Sequence, residues 1–109
     1  MCDTFFMEYE IKTTSIFDKW LVGLKDKTVV NRIMARIYRM EQGNLGDMKT
    51  VCQNLFEMRF FFGSGYRVYY TINGDTVALL LCGGDKSTQK KDIEKARKII
   101  GENNDDYNK

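Results

Sequence analysis

A chain of 109 residues and 12.7 kDa holds one domain, and with 43% apolar and 29% charged residues it has the composition of a packed globule, not of a disordered tail. It contains no histidine, which excludes Ser-His-Asp and Cys-His nucleophiles and histidine-ligated zinc, and its longest apolar run, Val77–Cys82, is far short of the ~18 residues a membrane helix needs. Net charge is only +2, but residues 1–18 carry −3 and residues 101–109 carry −2, so residues 19–100 carry +7, a basic body that suits a polyanionic partner or, equally, a solvated surface.

Phe5, Met7, Tyr9 and Ile11 alternate with Phe6, Glu8, Glu10 and Lys12, which predicts a strand with one buried face. Ser15-Ile-Phe-Asp18 fits a capping pattern and predicts a short helix over 16–23, with Phe17, Trp20, Leu21 and Leu24 on its core side. Asp26 caps a second helix over 27–41. Its Val29, Val30, Ile33, Met34, Ile37 and Met40 form an apolar stripe, and Arg32, Arg36 and Arg39 a basic one; the two helices are expected to form an antiparallel hairpin. Residues 43–49 read as a polar connection. Three strands follow, Asn54–Phe62, Tyr66–Ile72 and Thr76–Cys82, joined by Gly63-Ser64-Gly65 and by Asn73-Gly74, a strong hairpin signal. A last helix is capped near Ser87 and runs to Ile100, with Ile93, Ala96, Ile99 and Ile100 inward. The order is β-α-α-β-β-β-α, an α+β domain over 1–101 with helices on one face of a twisted antiparallel sheet, and residues 102–109 form a flexible acidic tail.

The strand register places the side chains of interest. Phe56, Met58, Phe60 and Phe62, with Tyr66, Val68, Tyr70 and Ile72, form the face under the helices; Glu57, Arg59 and Phe61, with Arg67, Tyr69 and Thr71, form the opposite, open face. A three-residue Gly-Ser-Gly loop pairs Phe62 with Tyr66 and Arg59 with Tyr69, leaving Arg59 and Arg67 diagonal to one another. Arginines interleaved with Phe61 and Tyr69 suit single-stranded RNA, since guanidinium groups meet phosphates and rings stack on bases. The same pattern also suits a plain solvated sheet face with cross-strand packing. Glu57 is expected to hold Arg59 in place. Arg67, pointing away from the core, is expected to tolerate alanine within about 0.5 kcal/mol.

Cys2, Cys52 and Cys82 are odd in number and far apart, which fits neither a disulfide framework nor a metal site and reads as free thiols in a reducing cytoplasm. The N-terminus has no basic region and does not read as a secretory signal. Gly83-Gly84-Asp85-Lys86-Ser87 joins a strand to a helix but is not a P-loop, so nucleotide hydrolysis is rejected; no cofactor and no metal is expected. The Arg32, Arg36, Arg39 stripe suits either a polyanion such as RNA or solvent.

Leu55-Phe-Glu-Met-Arg59, Phe62-Gly-Ser-Gly-Tyr66-Arg67-Val-Tyr-Tyr70 and Leu79-Leu-Leu-Cys82-Gly-Gly-Asp85-Lys86-Ser-Thr-Gln89-Lys-Lys-Asp92-Ile resemble the RelE/ParE superfamily of bacterial toxins. More narrowly the chain is similar to its addiction module killer protein branch, related to HigB toxins and phage Gp49-like proteins. Phe17-Asp-Lys-Trp20, Ala35-Arg36-Ile37 and Gly43-Asn-Leu-Gly46-Asp-Met-Lys49 fit the same branch, and the likeness spans residues 5–100. The resemblance implies a cytoplasmic toxin of a type II toxin–antitoxin pair that cleaves mRNA on the ribosome. It also implies a cognate antitoxin, often with a helix-turn-helix, that neutralises the toxin; operator DNA is reached only through their complex, and no membrane is involved.

Arg59 sits in the family's E-L/M-R motif and Arg67 in its Y-R-V/I motif, both arginines at RelE-type sites, and Lys49 resembles a basic residue used there. RelE toxins often place a Tyr or His near the C-terminus, where this chain has Asp85-Lys86-Ser-Thr-Gln89-Lys90. Cleavage by 2′-hydroxyl attack then needs a proton acceptor, for which Lys49 or Lys86 is the candidate without histidine, and cations on the phosphorane, for which Arg59 and Arg67 are the candidates. RNA contacts are expected from Phe61, Tyr69, Gln89, Lys90 and Arg36. A ParE-like inhibitor of DNA gyrase without chemistry, and a non-catalytic module that only binds an antitoxin, are the alternative readings.

Overall fold

The computed structural model describes residues 8–74 and 76–107, with side chains described through residue 102. Two helices cross one face of the sheet. Strand β1 (Glu10–Thr13) leads into helix α1 (Ser15–Val22) and helix α2 (Lys27–Glu41), after which β2 (Met48–Cys52), β3 (Leu55–Arg59), β4 (Arg67–Asn73) and β5 (Val77–Gly84) form a meander. A 3₁₀ turn over Lys86–Thr88 opens helix α3 (Gln89–Tyr107). The sheet order is β1-β5-β4-β3-β2, so the chain leaves one edge, crosses a face through α1 and α2, starts again at the far edge and works its way back. That path gives one face to the first two helices and leaves the other for α3.

The α+β class holds, with four refinements. The expected strand Phe5–Lys12 falls partly outside the described residues, and so does Cys2; the described strand begins at Glu10 and is parallel to β5, which makes the sheet mixed. Pairing direction leaves no trace in a short strand whose partner lies more than sixty residues on. An extra strand, β2, stands in part of what reads as a connection, because an edge strand with Lys49 and Thr50 exposed lacks clean alternation. Asn54, expected to begin a strand, instead takes a left-handed turn conformation (φ 59°). Finally, the helices do not share one face: the sheet is sandwiched.

Under α1 and α2 lie Met58, Phe60, Val68, Tyr70, Ala78 and Leu80, packed on Phe17, Val29, Ile33, Ile37 and Met40. Under α3 lie Leu55, Tyr69, Leu79, Leu81 and Cys82, packed on Ala96 and Ile99. Met34, expected inward, is exposed. Thr14, one residue ahead of the expected cap, caps α1 by accepting from the Phe17 amide at 3.0 Å, and Asp26 caps α2 as expected. At the end of β5, a Cβ on Gly83 would land on the Trp20 ring and one on Gly84 on the Asp92 carboxylate. Two adjacent glycines thus let helices close on both faces at once.

Candidate functional site

The register of β3 and β4 pairs Arg59 with Arg67, Glu57 with Tyr69 and Met58 with Val68. The strands separate earlier than expected: Phe60 donates its amide to the Tyr66 carbonyl at 3.0 Å, and Gly65, at φ +75°, carries the loop back. The difference from the expected register is two residues, so every side chain keeps its face while the two arginines become directly opposed rather than diagonal. Like charges placed across a ladder destabilise it. Each is therefore met by its own acid.

Arg59 donates through Nη2 to Asp47 Oδ1 at 3.0 Å, a pair about one third exposed on both sides (32% and 37%). Arg67 lies 3.4 Å through Nε from Glu57 Oε2, with side chains only 15% and 2% exposed, and donates through Nη1 to the Gly65 carbonyl at 3.0 Å. Glu57 also accepts from Gln89 Nε2 at 2.8 Å. Glu57 thus holds Arg67, not Arg59 as expected, because Asp47, in the loop before β2, takes Arg59. The expectation that Arg67 is a free surface side chain fails for the same reason: α3 covers most of that face, and its first residues close over Glu57.

Arg59, Arg67 and Lys86 line one groove of about 400 Å³, together with Phe61 and the Gly63-Ser64-Gly65 loop. Lys86 belongs to the turn that opens α3, where Asp85 accepts from the Ser87 amide and hydroxyl at 2.9 and 2.6 Å. Those bonds, that from the Ser87 hydroxyl first, hold the Asp85 carboxyl below its ordinary range. Phe61 stands 80% exposed at the rim, its ring 5.6 Å from the Arg59 guanidinium. Lys49 is exposed on β2 opposite Glu57, one row from the arginine pair, outside the groove lining. Lys90 is exposed on α3.

Three expected RNA contacts have other duties. Tyr69 is fully buried beneath α3, its hydroxyl without a hydrogen-bond partner; burial first, then the Glu57 charge, push its pKa well above the usual phenol range. Gln89 is committed to Glu57. Arg36 donates to the Arg59 and Asp47 carbonyls at 2.9 and 3.0 Å and lies over the Phe60 ring, so it clamps the loop that carries Asp47 to the end of β3. Sequence reasoning missed Asp47 entirely. Its signal was slight: a single acid in a nearly uncharged connection, just ahead of an edge strand.

Among the described residues no group of His, Cys, Asp and Glu is arranged to hold a metal ion, and no helix is long and apolar enough to cross a membrane. Cys52 and Cys82 are free, and burial first, then the nearby Asp92 carboxylate, pushes the Cys82 thiol up to about 12, which makes it an inert packing group.

The arrangement offers two paired arginines, an exposed lysine and an exposed ring around a groove open to solvent, a set whose charge suits a phosphodiester. A protein of Haemophilus influenzae (strain ATCC 51907 / DSM 11121 / KW20 / Rd), described as an uncharacterized protein, is 48% identical over 96 residues, covering 88% of this chain and 97% of its own length. The family described as "Phage derived protein Gp49-like (DUF891)" matches residues 19–101, a span that holds both arginines, both acids and Lys86. The chain belongs to that Gp49-like family, a RelE/ParE-like toxin family of addiction module killer proteins, whose members are toxins paired with an antitoxin.

Proposed function

We propose that this toxin is an mRNA endoribonuclease that works on the ribosome and arrests translation until a cognate antitoxin covers the groove. The observation that carries the reading is the Arg59–Arg67 pair, directly opposed at the mouth of the groove and held there by two separate acids. A protein gains nothing in stability from facing two arginines, whereas a phosphorane gains two fixed donors.

The scissile phosphate sits between Arg59 and Arg67. The 2′-oxygen attacks phosphorus, the bond to the 5′-oxygen breaks, and the products are a 2′,3′-cyclic phosphate and a 5′-hydroxyl. Lys86, on the groove wall, takes the 2′-proton and passes it to solvent, and the leaving 5′-oxygen takes its proton from solvent. Lys86 is preferred to Lys49 because it shares the groove with both arginines. Arg59 and Arg67 stay charged and neutralise the phosphorane, each contributing roughly 10²–10³-fold. Glu57 and Gln89 are positioning residues that act through Arg67. The ribosome supplies the orientation of the substrate. An antitoxin that brings acidic and apolar side chains would meet the arginines and Phe61 together, and operator DNA is bound only through that complex.

The test is pulse labelling after induction without antitoxin. Methionine incorporation is expected to fall first, with thymidine incorporation spared; early loss of thymidine incorporation alone would point to gyrase and overturn the nuclease.

A further inference from the structure

A second groove, of about 260 Å³, lies on the other side of Phe61, between α2 and residues 60–62. Its walls repeat one motif. The Arg32 guanidinium lies 4.7 Å from the Phe62 ring, Arg36 lies 4.7 Å from Phe60, and Arg59 lies 5.6 Å from Phe61. Three consecutive phenylalanines are thus each faced by a different arginine, and Arg39 lines the same space. The one acid there, Asp47, is already taken by Arg59. Arg36 is spent on backbone carbonyls and builds the groove. Arg32 and Arg39 are exposed and carry no ion pair among the described residues.

A merely solvated basic stripe needs no aromatic floor, and an apolar dock for a protein does not call for so much unpaired positive charge. Charge and ring faces together match a strand that carries a phosphate and a base at each step. The two grooves also adjoin, since Arg59 and Phe60–Phe62 line both. We infer that the second groove is a further nucleotide subsite on the path of the same single-stranded RNA, with a base stacked on Phe61 and the adjoining phosphate held by Arg32 and Arg39. The inference rests on the reading that the first groove holds the scissile phosphate, and it makes Phe61 the ridge between two subsites. Arg32, Arg39 and Phe61 then govern which sequence is cut, while Arg59 and Arg67 govern whether it is cut.

The test compares Phe61→Ala and the double variant Arg32→Glu/Arg39→Glu with Arg67→Ala and the parent, all as the full chain. Binding is read by anisotropy on uncuttable 2′-O-methyl oligoribonucleotides, a dinucleotide and a hexanucleotide; cutting is read by mapping transcript 5′ ends after induction. Both subsite variants are expected to melt like the parent, to bind the hexanucleotide roughly tenfold or more weakly, and to cut with relaxed preference beside the scissile bond. Parental binding and a parental cut pattern in both, with Arg67→Ala silent, would overturn the subsite and leave the nuclease standing. Transcripts left intact by the parent, with no probe bound, would overturn the nuclease itself. Loss of antitoxin binding by Arg32→Glu/Arg39→Glu, with RNA binding and cutting unchanged, would make the groove a protein dock and overturn the inference as well.

Discussion

The two faces of the one sheet are built from alternate residues of β3 and β4, yet they hold opposite contents. Beneath α1 and α2 the described chain buries only apolar side chains and Tyr70. Beneath α3 it buries Glu57, Thr71 and Asp92 as well, and Glu57 reaches out to Arg67 and Gln89. The first face is core and holds the molecule together. The second is core at one end and polar at the other, where α3 begins and the groove opens. A buried carboxylate is a costly thing to keep in a small domain, and its return here is a guanidinium aimed at the groove.

The arginine pair tests this contrast most severely. Arg67→Ala leaves Glu57 buried without its cation, so a loss of about 2–3 kcal/mol is expected, with a thermal melt roughly 10 °C or more lower, beside a 10²–10³-fold loss of cleavage. Arg59→Ala breaks a half-exposed pair and is expected to cost under about 1 kcal/mol while losing comparable activity. Replacing Glu57 by Leu in the Arg67→Ala background should return most of the stability and none of the activity. Equal melts for Arg59→Ala and Arg67→Ala would show that the second face tolerates an unpaired carboxylate and would void the contrast.

The glycine pair offers the next effect in size. Gly84→Ala pushes on Asp92 and Thr88 under α3, and Gly83→Ala on Trp20 under α1. Each should cost about 1–3 kcal/mol by overpacking. Gly84→Ala should also slow cleavage, because it displaces the turn that carries Lys86, whereas Gly83→Ala should lower the melt alone. Parental cleavage by Gly84→Ala would separate that turn from the site.

The smallest effect is expected at Tyr69. Its buried hydroxyl has no partner, so Tyr69→Phe should be neutral or stabilising by up to about 1 kcal/mol, with cleavage unchanged. Loss of RNA binding in a well-folded Tyr69→Phe protein would return this ring to the interface.

Much of this was legible in the residues, for physical reasons. Helices α1 and α2 and strands β3 to β5 carry strong periodicity and turn residues, and the faces survived a mistaken register because the slip was even. The second helical layer was written less plainly. Its sign was the unbroken Val77–Cys82 run, apolar on both sides of the strand as only a strand covered twice can be, followed by Gly83-Gly84. Arg59 and Arg67 could be placed on one face from alternation alone. Their pairing could not, because Asp47 comes from a loop, the slipped register set Glu57 beside the wrong arginine, and Gln89, which holds Glu57, comes from a helix whose docking face alternation does not reveal.

The central claim is that the Arg59–Arg67 groove cuts RNA by attack of its own 2′-hydroxyl. Sequencing transcript ends after induction of the parent and of Arg67→Lys tests it directly. The parent should generate new ends bearing 2′,3′-cyclic phosphates and 5′-hydroxyls within translated regions, and Arg67→Lys should generate them at the same positions and far less often, since one ammonium replaces a planar fork. Growth arrest by the parent with no new transcript ends, or an Arg67→Lys protein that cuts as well as the parent, would contradict the claim.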